Sequence, residues 1–168
     1  MIHKDLRSCR LRWLWISFIV LNLDILSKKW VTTHLLLHQS ISIIPCVNLY
    51  YAHNFGAAFS FLSDQDGWQR WFLSAITSFL LMILLINMYY SQPRSKLHNC
   101  AHALLIGGAL GNLYDRIHRG FVVDFIDLYM TNWHFATFNI ADIAICIGVF
   151  LVLLKGVIVP KADKNQKS

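Results

Sequence analysis

Apolar runs of about twenty residues constrain this sequence more than any other feature. A helix that crosses the hydrocarbon core of a membrane needs about 20 predominantly apolar residues, and several segments of the 168-residue chain approach that length. Hydrophobic residues make up 56% of the chain and charged residues 14%, whereas soluble domains have roughly 45–50% and about 25%. These values disfavour a soluble domain and a disordered chain, and they predict an integral membrane protein.

The predicted fold is an all-α integral membrane protein with four transmembrane helices in a single membrane domain, residues 1–168. The spans are predicted at approximately residues 11–31, 68–90, 99–117 and 140–159. A cleavable signal peptide is the alternative for the first span, because a basic start precedes it. No small-residue cleavage site follows that span, and charged residues stand there instead. We therefore expect it to remain as a membrane helix.

The positions of lysine and arginine predict the orientation of these spans. Lysine and arginine precede the first span, separate the second from the third and close the chain, whereas residues 32–67 contain neither. The positive-inside rule then places both termini and residues 91–98 in the cytoplasm, and the loops at about 32–67 and 118–138 on the outer face. β-Branched and aromatic residues in these loops predict a small β-rich cap, and residues 56–62 predict a short interfacial helix.

The charge and the cysteines argue against two other classes of partner. The net charge of +6 is distributed along the ends of the apolar segments and forms no patch, so no nucleic acid is expected to bind. The cysteines have no CxxC spacing, and the histidines form no HExxH motif. The sequence therefore predicts no metal site and no cofactor.

Charged side chains within the spans require an explanation, because each costs about 2.5–3.5 kcal/mol at a helix centre. Asp24 and Lys28 are four residues apart and are predicted to pair on one helix face. An ion pair that only seats the helix end is the structural alternative. Asp115 and Arg116 are candidates for a local pair, and Asn112, one turn earlier, is expected to form hydrogen bonds across the bundle.

Asp142 has both a structural and a functional interpretation. Asn139 is a favourable N-cap, and Asp142 follows three residues later, as in a capping box. A negative group at that position also suits the helix dipole. Taken alone, this pattern favours a structural acid.

Asp124 is harder to explain as a structural residue, because it stands in the apolar run at residues 122–126. Apolar surroundings raise a carboxyl pKa and keep the acid protonated near neutral pH. Asp127, by contrast, is predicted to be solvated. The predicted topology brings Asp124 and Asp142 to the outer boundary, where two carboxyls in one dry site titrate as a coupled pair. One of them can activate a water and the other can protonate a departing nitrogen, which predicts peptide hydrolysis.

Five stretches of the sequence, in order, carry a family resemblance. They are residues 22–24 (NLD) with Lys28, 54–60 (NFGAAFS), 107–116 (GGALGNLYDR), 120–126 (GFVVDFI), and 138–142 (FNIAD) with Gly148. With them, the chain resembles the lipoprotein signal peptidases (signal peptidase II), an aspartyl-protease family of the bacterial cytoplasmic membrane.

The resemblance implies a function and a set of site residues. The implied enzyme is an aspartic endopeptidase that removes signal peptides from prolipoproteins by cutting before a diacylglyceryl-modified cysteine. It implies Asp124 and Asp142 as the catalytic pair. The implied partners besides the substrate are membrane lipids and globomycin-type inhibitors. Further residues are expected to bind substrate or support the site, namely Asn54, Gly108, Asn112, Arg116 and Asn139, with Asp24, Lys28 and Asp115 as structural or supporting residues.

Two other function classes remain as alternatives. A small proton-coupled transporter would also use carboxylates inside the membrane, but the acids here cluster at one boundary and form no path across the bilayer. A scaffold subunit would explain the small residues of the third span but not two buried acids.

Overall fold

The structure, a computed structural model, describes residues 11–56, 67–90, 96–131 and 133–158. The helices within these ranges are α1 (Leu14–His34), α2 (Trp68–Tyr90), α3 (Lys96–His118) and α4 (Ile140–Ile158). The strands are β1 (Ser40–Ile44), β2 (Val47–Asn54), β3 (Val122–Met130) and β4 (Trp133–Phe138). The interfacial helix predicted over residues 56–62 lies outside the described residues apart from Gly56, as do both chain ends predicted to be cytoplasmic.

Helix α3 packs against α1, α2 and α4, and its glycines allow the close approach. A Cβ atom at Gly108 would overlap the backbone oxygen of Ala141 in α4. A Cβ atom at Gly107 would lie 2.9 Å from the backbone of Ser17 in α1. Small residues at helix contacts are typical of proteins in which helices pack inside a membrane.

The four strands form one antiparallel sheet in the order β1-β2-β3-β4. Val123 and Phe125 of β3 pack with Tyr51 of β2 against Val31 near the end of α1. Successive side chains of a strand point to opposite faces, so Asp124 points away from this core. The packing of the sheet on α1 therefore fixes the direction of the Asp124 side chain.

The predicted all-α fold class is wrong, because the two predicted outer loops form a continuous sheet of four strands. The loop at 32–67 supplies β1 and β2, the loop at 118–138 supplies β3 and β4, and β2 pairs with β3. Pairing between the loops satisfies backbone N–H and C=O groups that would otherwise be left at two open hairpin edges. The strands have 5, 8, 9 and 6 residues and form a substantial part of the fold.

The prediction of four clearly apolar spans is also wrong. Among the described helices, α2 alone is long and apolar enough to cross a membrane by length and composition, with a mean hydropathy of 2.1, and α4 contains a shorter apolar stretch, Ile140–Leu154. Helices α1 and α3 contain buried charged residues such as Asp24, Lys28 and Asp115. Because these residues are charged, they lower the mean hydropathy of their helices. Their side chains form ion pairs inside the protein.

Candidate active site

Asn139 contacts both predicted catalytic residues. Asp124 comes from β3, and Asp142 comes from the first turn of α4. The side-chain nitrogen of Asn139 donates a hydrogen bond to Asp124 Oδ1 at 2.7 Å. Its side-chain oxygen accepts a hydrogen bond from the backbone N–H of Asp142 at 3.0 Å. The structure therefore brings the two acids together where β4 ends and α4 begins.

Asp142 both completes a helix cap and contacts α3. Its Oδ2 accepts the backbone N–H of Asn139 at 3.3 Å, which closes the capping box. Its Oδ1 accepts a hydrogen bond from Asn112 Nδ2 at 2.8 Å. The structural and functional interpretations of Asp142 are therefore compatible, because the two contacts use different carboxylate oxygens.

Asp124 is a buried carboxyl held by neutral amides. Its side chain is only 3% exposed, and its Oδ2 accepts a hydrogen bond from Asn54 Nδ2 at 2.9 Å. Burial and then the negative charge of Asp142 raise the pKa of Asp124 from 3.8 to about 7, against the lowering effect of the hydrogen bonds from Asn54 and Asn139. Asp124 therefore keeps its proton up to near-neutral pH.

Lys28 lies at the centre of a second buried acidic cluster beside the first. Its Nζ contacts Asp24 Oδ2 at 2.7 Å and Asp115 Oδ2 at 3.1 Å, and it donates to Asn112 Oδ1 at 3.2 Å. Lys28 is 1% exposed and Asp24 is fully buried. The pair expected from the spacing on α1 is present, and α3 supplies the two further acceptors.

Asp115 does not pair with Arg116, contrary to the expected local pair. Its Oδ1 contacts Arg119 Nε at 3.0 Å. Adjacent residues on a helix do not face each other, whereas residues four apart do. Arg119 is not among the predicted site residues. Its spacing of four residues from Asp115 is the sequence pattern from which this contact could have been predicted.

Arg116 joins α3 to the segment that follows β2. One guanidinium nitrogen donates to the backbone oxygen of Gly56 at 3.0 Å and another to that of Asn112 at 3.4 Å. Its positive charge lies within electrostatic reach of Asp142 and Asp124. Arg116 therefore belongs to the site, although its hydrogen bonds go to backbone oxygens.

Two glycines of α3 bring the first turn of α4 close to the buried cluster. A Cβ atom at Gly111 would lie 2.5 Å from Asp24 Oδ2, and Gly108 makes room for the backbone of Ala141. The approach lets Asp24 Oδ1 accept the backbone N–H of Ala141 at 2.9 Å. Gly108 thus supports the site through its lack of a side chain.

A cavity of about 370 Å³ opens beside Asp124. It lies between β2, β3 and β4 and is lined by Tyr50, Ala52, His53, Asn54, Asp124, Phe135, Ala136 and Thr137. An apolar groove of about 550 Å³ between α1, α2 and α3 contains neither of the two acids. The cavity on the sheet therefore borders Asp124, and Asp142 is not among the residues that line it.

Comparison with known proteins decides the family. The family described as signal peptidase (SPase) II matches residues 16–158. The chain belongs to the signal peptidase II family. The lipoprotein signal peptidases of Yersinia pestis (strain Pestoides F) and Yersinia pseudotuberculosis serotype O:3 (strain YPIII) are each 54% identical to it over 164 residues, which cover 98% of this chain and 96% of each relative.

Two solved structures described as bacterial membrane enzymes share the fold. Both are 31% identical to this chain. The first has a TM-score of 0.80 and covers 94% of this chain and 93% of its own, and the second has a TM-score of 0.76 and covers 90% and 94%. This likeness confirms the membrane character of the protein.

Membership in the signal peptidase II family confirms the predicted enzyme class and function, an aspartic peptidase that removes signal peptides from prolipoproteins. It favours the peptidase over the transporter and over the scaffold subunit.

Proposed function

We propose that Asp124 and Asp142 form the catalytic dyad, and that this signal peptidase II cuts its substrate directly before a diacylglyceryl-modified cysteine. The shared contact with Asn139 carries the proposal. Its side-chain nitrogen binds the buried carboxyl of Asp124, and its backbone N–H binds the partly exposed carboxyl of Asp142. Two carboxyls in different surroundings divide the roles of acid and base.

Asp142 acts as the base in this proposal. It is the more exposed of the two acids, and it lies in the first turn of α4, where the helix dipole favours a negative charge. Its carboxylate takes a proton from a water molecule, and the water oxygen adds to the carbonyl carbon of the scissile peptide bond.

Asp124 acts as the acid. Its raised pKa keeps the carboxyl protonated near neutral pH, and it gives this proton to the peptide nitrogen as the carbon–nitrogen bond breaks. The products are a signal peptide with a new carboxyl group and a lipid-modified cysteine with a free amine. The dyad keeps one proton throughout, since Asp142 gains one and Asp124 loses one.

The surrounding residues support the substrate and the dyad. Asn54, Asn112 and Asn139 orient the two carboxyls through their amides. The cavity beside Asp124 is where the scissile segment lies, with the lipid anchor on one side and the apolar signal helix on the other. Globomycin-type peptides bind in the same place and compete with the prolipoprotein, and membrane lipids surround the site.

The chain crosses the bacterial membrane more than once, with both termini on the cytoplasmic side. The distribution of lysine and arginine supports this orientation. It places the sheet and the dyad near the outer face. Labelling of Gln65→Cys and Ser95→Cys variants with a membrane-impermeant thiol reagent tests it, in a background in which the native cysteines are replaced by serine. Residue 65 reacts from outside and residue 95 does not, and the reverse result contradicts the orientation.

Cleavage of a purified precursor tests the function directly. The protein is incubated in detergent with a diacylglyceryl-modified prolipoprotein and, as a matched control, with the same precursor without lipid. We expect a shorter product whose N-terminus is the modified cysteine, formed only from the lipidated precursor. Equal cleavage of both precursors contradicts the proposed substrate, and an unchanged rate with Asp142→Asn contradicts the proposed dyad.

A further inference from the structure

Two supporting carboxylates each bind the backbone N–H of the residue that precedes a proposed catalytic residue in the sequence. Asp24 Oδ1 accepts the N–H of Ala141, which precedes the proposed base, at 2.9 Å. Asp115 Oδ2 accepts the N–H of Val123, which precedes the proposed acid, at 3.1 Å. The same contact therefore occurs once on a helix and once on a strand.

Lys28 connects these two carboxylates. An ammonium group has three N–H donors and no acceptor, and the three acceptors around Lys28 are Asp24, Asp115 and the side-chain oxygen of Asn112. The oxygen of Asn112 accepts hydrogen bonds from Lys28 and, at 3.3 Å, from Asn139 Nδ2. The nitrogen of that amide therefore faces Asp142 and donates to it at 2.8 Å. Lys28 and Asn139 together therefore set the orientation of the Asn112 amide, and Lys28 is the charged donor of the two.

We infer that Lys28 is a positioning residue that sets the orientation and spacing of the catalytic pair. It acts on Asp142 through Asn112. It acts through Asp24 and Asp115 on the backbone of the residues that precede the two acids in the sequence. The inference rests on the proposed dyad. If Lys28 only balanced charge, any change that restored the net charge would suffice, whereas positioning requires hydrogen-bond donors at this point.

Two charge-balanced double variants separate these roles. Lys28→Met/Asp24→Asn removes one positive and one negative charge and leaves no donor at position 28. Lys28→Gln/Asp24→Asn has the same net charge but offers an amide donor to Asn112. In both, the oxygen of the new asparagine can still accept the N–H of Ala141. Lys29→Met is the control, because Lys29 is the exposed neighbour on the same helix.

The measurement is kcat and KM with a lipidated precursor, together with Tm in detergent. A misplaced catalytic group costs on the order of 10²-fold in rate, so we expect a loss of about that size in kcat for Lys28→Met/Asp24→Asn. KM should change little, since the lost interaction concerns the reacting groups and not uniform substrate binding. Lys28→Gln/Asp24→Asn should recover a large part of kcat at a similar Tm. Lys29→Met should leave all three quantities unchanged.

Three results overturn the inference. They are a near wild-type kcat for Lys28→Met/Asp24→Asn, the same kcat for both double variants, and the failure of both to fold, which makes Lys28 a folding residue. Asp142→Asn is measured in the same assay to separate this inference from the proposed function. If Asp142→Asn stays active, the dyad is wrong; if it is inactive while both double variants are fully active, only the role of Lys28 is wrong.

Discussion

Two pairs of aspartates lie side by side in this protein, and the groups that contact them differ. Asp24 and Asp115 share the ammonium group of Lys28. Asp124 and Asp142 accept hydrogen bonds from neutral amides, and no cation of the described segments lies within 4 Å of either. A contacting cation favours the charged carboxylate, whereas burial among neutral donors allows the neutral acid. The two pairs therefore differ in the groups that contact them, which are one shared ammonium for the first pair and neutral amides for the second.

The largest effect should come from neutralising the amide-bound pair. Asp124→Asn and Asp142→Asn each remove a proton donor or acceptor, and the cleavage rate should fall by about 10²–10⁴-fold. Folding should survive, because a neutral amide is easier to bury than a charge. The double variant should be little worse than either single one, since members of one catalytic unit are not additive.

Asp127→Asn is the matched control for this prediction. Asp127 lies on β3, three residues after Asp124, and is also buried, but its carboxylate binds Asn48 and His134. Its substitution should leave the cleavage rate nearly unchanged. A loss as large as that of Asp124→Asn would mean that any buried acid on this strand matters, and the comparison between the two pairs would fail.

The cation-bound pair should respond in stability more than in rate. Asp24→Asn removes one charge from a buried ion pair, and breaking such a pair costs up to about 3–5 kcal/mol in the free energy of unfolding. The asparagine oxygen still accepts the N–H of Ala141, so the folded variant should keep most of its activity. Thermal unfolding in detergent and cleavage at low temperature check both parts. A stable but inactive Asp24→Asn protein would place Asp24 in the chemistry.

The pH dependence of cleavage should show the titration of one acid, Asp124, near neutral pH. The pKa of Asp124 is about 7 in the folded protein, and its proton is required, so kcat/KM should fall as the pH rises above about 7. The same raised pKa means that the folded state binds this proton more tightly than the unfolded state. The contribution of Asp124 to stability should therefore decrease as the pH rises from about 4 to about 7.

Asn54→Ala should shift this limb of the pH profile. The hydrogen bond from Asn54 lowers the pKa of Asp124, so its removal should move the fall in kcat/KM to higher pH. Asn48→Ala is the control on the same strand, because Asn48 binds Asp127 instead. A shift of equal size in both variants would contradict the assignment of this limb to Asp124.

The smallest effect is expected from chelators. The proposed chemistry uses two carboxyls and a water, so EDTA should leave the cleavage rate unchanged at saturating substrate. Activity that is lost with EDTA and returns with zinc would contradict the dyad mechanism.

The features that could be predicted from the sequence are the local ones. The helices begin and end within three residues of the predicted spans, because an apolar run is a local pattern that indicates the helix formed by the same residues. The pair of Asp24 and Lys28 follows from their spacing on one helix. The contact of Lys28 with Asn112 and Asp115 does not, because it depends on how α1 packs on α3.

The sheet shows where local patterns were insufficient. β-Branched and aromatic residues indicated strands near β2 and β3, but the pairing of the two loops into one sheet depends on contacts between distant segments. Asp127 was expected to be solvated and is 1% exposed. Side chains alternate between the two faces of a strand, so Asp127 lies on the same face as the buried residues Val123 and Phe125. This alternation could have predicted that Asp127 is buried.

The spacing of the charged residues also bears on how the chain is assembled. Asp24 and Lys28 are four residues apart, as are Asp115 and Arg119. Each of these two acids therefore has a counter-ion within its own segment of the chain, before α1 and α3 pack together. A lone charge in apolar surroundings is costly, and a counter-ion one turn away lowers this cost for Asp24 and for Asp115. The contact of Lys28 with Asp115 joins α1 to α3, so this link can form only when the two helices pack together.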